Sequence, residues 1–107
     1  MPNEVNITFH PQSKKASAHP DPVKVHKNPN NVDKFDHIEF KCNQHEFRIR
    51  FKDSGQFENT PDSLLGGPGQ IAVTGPIKQN IPDDDYKYYI DHLASGKVTD
   101  PDYRVRP

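Results

Sequence analysis

Apolar and charged residues alternate along two neighbouring runs, Asp36-His37-Ile38-Glu39-Phe40-Lys41-Cys42 and Glu46-Phe47-Arg48-Ile49-Arg50-Phe51-Lys52, with Asn43, Gln44 and His45 between them. A period of two sends successive side chains to opposite faces of a sheet. Ile38, Phe40 and Cys42 therefore share one face of a strand, and Phe47, Ile49 and Phe51 one face of the next. Each strand has one face to bury and one to leave in water. The short connection predicts that the two strands pair.

The same alternation recurs along the chain. Val5, Ile7 and Phe9 predict a first strand, and Val23 and Val25 a second. Ile71–Thr74 predicts a strand cut off by Gly75-Pro76; Tyr86, Tyr88 and Ile90 predict a late strand, and Tyr103 and Val105 the last. Pro11–Pro22 is polar and reads as a flexible loop, and Asn28-Pro29-Asn30-Asn31 as a turn. Between Asp53 and Gly69 the alternation disappears. Asn59–Leu65, with a capping residue and a proline near a first helical position, predicts one helical turn closed by Gly66-Gly67-Pro68-Gly69.

About seven short strands, roughly 8–15 residues apart and without an amphipathic helix, predict an all-β, antiparallel Greek-key β-sandwich. The 107 residues make one domain, with residues 1–22 as an N-terminal strand and flexible loop and residues 23–107 as the sandwich proper. At 31% hydrophobic residues the core must be lean, so the six Phe and four Tyr supply much of it.

Net charge is −1, so no global field draws the chain to nucleic acid or membrane. No apolar stretch approaches the ~18 residues of a membrane span. Met1-Pro2-Asn3-Glu4 has neither a basic nor an apolar leader-like region, and the single cysteine forms no internal disulfide. Both predict a cytoplasmic, reducing setting.

The order of these features resembles the cupredoxin fold over residues 21–107. Asp21-Pro22-Val23-Lys24-Val25 is similar to the family's early Pro-x-x-Val-x-Val strand, and Ile38-Glu39-Phe40-Lys41-Cys42-Asn43 to its Val-x-Phe-x-Asn strand. Tyr86-Lys87-Tyr88-Tyr89-Ile90-Asp91-His92 is similar to the late Tyr-x-Tyr-x-Cys-x-x-His strand, and Tyr103-Arg104-Val105 to the last. An immunoglobulin-like sandwich is the rival. The resemblance implies that His45 falls near the first ligand position of a copper site and that His92 comes closest to it. A blue-copper centre needs a thiolate between two imidazoles. Ile90 stands at the thiolate position, Cys42 lies on another strand and the only methionine is Met1, so a type 1 copper site is not expected.

None of the six histidines (His10, His19, His26, His37, His45, His92) pairs at a zinc- or copper-motif spacing. His45 and His92 are the candidate ligands if the fold gathers any. Cys42 is in phase with Ile38 and Phe40 and reads as a buried small hydrophobe rather than a nucleophile. Asp83-Asp84-Asp85 lacks the alternate spacing and glycine of a calcium loop, and Gly66–Gly69 lacks the Lys-Ser/Thr of a phosphate loop.

Lys41, Arg48, Arg50 and Lys52 fall on the outward face of the two central runs, diluted by Glu39 and Glu46. Such a face suits an acidic protein partner. The aromatics of these strands point inward, which disfavours base stacking and hence nucleic acid. A second candidate surface is the segment Phe57–Leu65. With no catalytic constellation and no cofactor motif, the expectation is a small non-catalytic binding or accessory module that engages a protein. The alternative is a histidine-based copper- or zinc-binding protein.

Overall fold

The computed structural model describes residues 3–27 and 36–106. Among them are ten strands and no helix: β1 (Asn3–Phe9), β2 (Ala16–His19), β3 (Val23–His26), β4 (Ile38–Lys41), β5 (Phe47–Phe51), β6 (Ser63–Gly66), β7 (Ala72–Val73), β8 (Asp85–His92), β9 (Val98–Thr99) and β10 (Asp102–Arg106). Among the described residues no helix is long and apolar enough to cross a membrane. The turn expected at Asn28–Asn31 lies outside the described residues.

The strands form two sheets, one ordered β2-β1-β4-β7, the other β3-β10-β8-β5-β6 with β9 also on β8. Both are mixed: β1 runs parallel to β4, and β3 parallel to β10. The all-β expectation holds; the wholly antiparallel one does not. Period-two patterning reports which face a strand buries and carries no information about the direction of its neighbour.

The same gap explains a second correction. β4 and β5 do not pair. β4 lies between β1 and β7, while β5 lies between β6 and β8 in the other sheet, so the connection through Asn43–Glu46 crosses from one layer to the other. Their apolar faces meet across the core instead. Val5, Ile7, Phe9, Ile38, Phe40 and Ala72 from one sheet share a cluster with Val23, Val25, Phe47, Ile49, Tyr88, Ile90, Tyr103 and Val105 from the other. Phe40 reaches over to Tyr88, with ring centroids 5.2 Å apart. Cys42 is buried, as its phase predicts, and Phe51 is half-buried against the cluster.

Three strands escape the pattern. In β2 the small residues Ala16 and Ala18 are half-buried, so the polar stretch read as a loop pairs with β1 instead. β6 replaces the expected helical turn. It is held there by Phe47, whose ring covers Gly66 so closely that a Cβ on Gly66 would collide with it. β9 is a two-residue partner of β8. The segment around Phe57 divides in role: Phe57 caps the core, Leu64 is half-buried and Leu65 is exposed.

The phase of β5 makes a stability prediction. Phe47→Ala should cost about 3–5 kcal/mol, as large core truncations do. Arg48→Ala should cost less than about 1 kcal/mol, since that side chain is half in water. Denaturant unfolding of the two variants measures this, and equal losses would mean that the register is wrong.

Candidate functional site

β8 alternates inward and outward, and its last three residues are all buried for different reasons. Ile90 faces the core. Asp91 faces outward yet is only 4% exposed, because two arginines of β5 close over it. His92 faces inward at the open end of the core and is 3% exposed.

The arginine cluster is well formed. Arg48 Nε donates to Asp91 Oδ2 at 2.9 Å; Arg50 donates Nε to Oδ2 at 2.7 Å and an Nη to Oδ1 at 2.8 Å. The Arg50 hydrogen bonds, outweighing desolvation and seconded by Arg48, hold the Asp91 carboxyl below the usual carboxylate range. The guanidinium of Arg50 also lies 4.9 Å from the centre of the Tyr89 ring.

The four basic residues expected on one face are therefore divided. Arg48 and Arg50 share the outer face of the larger sheet and spend much of their charge on Asp91. Lys52 follows directly after β5 and is exposed. Lys41 sits in the other sheet, where its Nζ pairs with Glu4 at 2.8 Å. The sequence supplied no register, so the neutralising acids Asp91 and Glu4 were missed.

The structure does bring His45 and His92 together. His92 is opposite Phe47 in the β5–β8 register, and His45 lies two residues before Phe47 in the crossing connection. Their ring centroids are 4.8 Å apart at 71°, and Phe9, at the end of β1, sits edge-on to both. His45 is exposed; His92 is beneath it. Gln44, His45, Glu46, Gly66, His92 and Leu93 are among the residues lining a cleft of about 650 Å³ at this end of the molecule.

The His92 ring is tied on one side only. Its Nδ1 accepts the Ser95 backbone N–H at 3.2 Å and lies 2.7 Å from Ser95 Oγ, within the Ala94–Lys97 turn. Its Nε2 is buried without a hydrogen-bond partner. An orphan of this kind costs about 1–3 kcal/mol unless a ligand or an ordered water meets it. Burial first, then the neighbouring His45 and Lys14, push the His92 imidazole below its ordinary value. Among the described residues Tyr88 Oη is the other buried unpartnered atom, and burial raises its pKa, but it lies deep in the core.

As a metal centre the set is thin. Among the described residues no group of three or more His, Cys, Asp or Glu side chains gathers to hold an ion. Cys42 does not join the two imidazoles, so the donors of a type 1 copper site are not assembled here. The chain matches no protein-family model, no curated protein and no solved structure.

The depressed His92 titration sets a pH dependence. Below about pH 6.5 the unfolded chain takes up this proton while the folded chain still resists it, so folding stability falls with pH through that window. Thermal unfolding between about pH 8 and pH 5 should show a steeper acid loss in the wild type than in His92→Phe. Parallel curves would mean that His92 titrates normally in the fold.

Proposed function

We propose that the protein is a small non-catalytic binding module on a cupredoxin-like Greek-key sandwich, and that it engages an acidic protein partner through the cleft between His45 and His92. One observation carries this: a buried, unpartnered ring nitrogen beside a cleft of about 650 Å³. Binding sites are concave and place a few polar groups among apolar walls, and here Leu93, Ala94 and Pro68 supply the apolar part. The cupredoxin-like reading is favoured over the immunoglobulin-like one by the mixed sheets, since the immunoglobulin arrangement is built of antiparallel sheets.

The arginine face is the competing surface. Two guanidiniums against one carboxylate leave it positive, and the exposed Leu65 and Val98 flank it. A second reading, copper or zinc held by His45 and His92, is favoured by the 4.8 Å separation of the rings. It draws two protein ligands from the site and leaves the remaining positions to solvent.

Amide spectra of ¹⁵N-labelled protein titrated with a library of water-soluble fragments test the location. The first resonances to move should be those of Gln44–Glu46, Gly66, Gly67, Gln70 and His92–Ala94. Shifts confined to Arg48, Arg50 and their strand neighbours would transfer the function to the arginine face.

A further inference from the structure

The hydrogen bonds of the β8–β9 turn decide which proton the His92 ring carries. A backbone N–H can only donate, so the Ser95 N–H at 3.2 Å requires a bare, accepting Nδ1. Ser95 Oγ lies 2.7 Å from the same nitrogen and itself accepts the Lys97 N–H at 3.3 Å, which leaves the hydroxyl proton directed to Nδ1 as well. The proton of the neutral ring is thereby assigned to Nε2. The unpartnered atom is a donor, and what it lacks is an acceptor.

A metal ion at Nε2 would need the opposite tautomer, with the Ser95 N–H forfeiting its contact with Nδ1. An oxygen acceptor needs no such change. Lys14 is the cation among the groups acting on the ring, and it favours a negative oxygen there. Glu46 also lines the cleft, at the wall formed by Gly67. Gln44 adds a second donor: its side-chain oxygen is taken by the Phe9 N–H at 2.9 Å, which leaves the amide NH₂ to give. The His45 ring lies 4.8 Å from the His92 ring, centre to centre, and is itself exposed, and an exposed side chain changes rotamer within nanoseconds.

We propose that the cleft captures a carboxylate bearing a small apolar group, with His92 Nε2–H and the Gln44 amide as donors and His45 as the side chain that turns aside to admit it. This rests on the reading of the cleft as the binding site and names the chemistry it recognises. A free small acid and the C-terminus of a partner protein offer the same group. Leu93 and Ala94 are the apolar contacts for the tail.

The test uses the whole chain, ¹⁵N-labelled at histidine, with isovalerate, its neutral isostere isovaleramide, an N-acetylated tetrapeptide ending in leucine as free acid or as amide, and Zn²⁺. Isovalerate should shift the His92 Nε2–H resonance. Its affinity should fall about tenfold in His92→Phe and, independently, in Gln44→Ala, the loss expected of one charge-assisted hydrogen bond. Isovaleramide should bind about tenfold more weakly than the acid. A peptide acid that outbinds isovalerate while its amide does not identifies a partner's C-terminus; equal affinities identify a free acid.

Binding of acid and amide alike, or isovalerate binding without any change at the His92 ring, would overturn the proposal. Zn²⁺ binding at a deprotonated Nε2 with no response to isovalerate would overturn it too, while leaving the cleft as the binding site. Silence from every probe and from the fragment library would remove both.

Discussion

A single carboxylate, Asp91, holds two strands in register. It sits on the outer face of β8, directly opposite Arg48 on β5, and takes a diagonal two-pronged grip from Arg50. Hydrophobic alternation alone would tolerate a slip of two residues between these strands, because Phe47, Ile49 and Phe51 would still face inward. A two-residue slip would set Asp91 opposite either Arg50 or Glu46 and break the present arrangement, in which Arg48 stands across from it and Arg50 grips it on the diagonal. Bidentate arginine–carboxylate bonds have the directionality for such a role. Part of the positive face suggested by the sequence is thus committed to holding the larger sheet together.

The same register builds the loop end. Ile49 pairs with Ile90 and Phe47 with His92, so the residue following Asp91 arrives at the mouth of the core where the chain crosses from β4 to β5. His45, in that crossing, comes to rest over it. The Ser95 turn then fixes one edge of the His92 ring, and Phe9 supports both imidazoles from the other sheet. The outcome is a buried donor kept waiting at an accessible cleft. Of the two buried polar atoms without a partner among the described residues, Tyr88 Oη and His92 Nε2, the latter lies at a cleft, and sites where local rules are broken are where function is sought.

Much of the core was legible in the sequence. Val5, Ile7, Phe9, Val23, Val25, Ile38, Phe40, Cys42, Phe47, Ile49, Tyr88, Ile90, Tyr103 and Val105 all alternate in the phase in which they are buried. Strand partners were not legible, because β4 and β5 present the same pattern whether they lie side by side or face each other. β2 escaped because alanines bury little area and leave a weak signal. β6 escaped because its position depends on the Phe47 ring lying over Gly66, a contact between residues distant in sequence. The approach of His45 to His92 was implied only by a family resemblance, and the bare Nδ1 that turns Nε2 into a donor depends on Ser95, whose orientation no pattern announces. Asp91 could be found only by one who knew that it stood opposite Arg48.

The register in which Asp91 faces Arg48 also brings His92 to His45. Nuclear Overhauser contacts in the 107-residue chain test this register. The account predicts cross-strand contacts between Ile49 and Ile90 and between Phe47 and His92, together with ring-to-ring contacts from His45 and Phe9 to His92. Contacts from Ile49 to Tyr88 or to His92 as its direct partner, with no ring contact between His45 and His92, would reveal a two-residue slip and contradict the account.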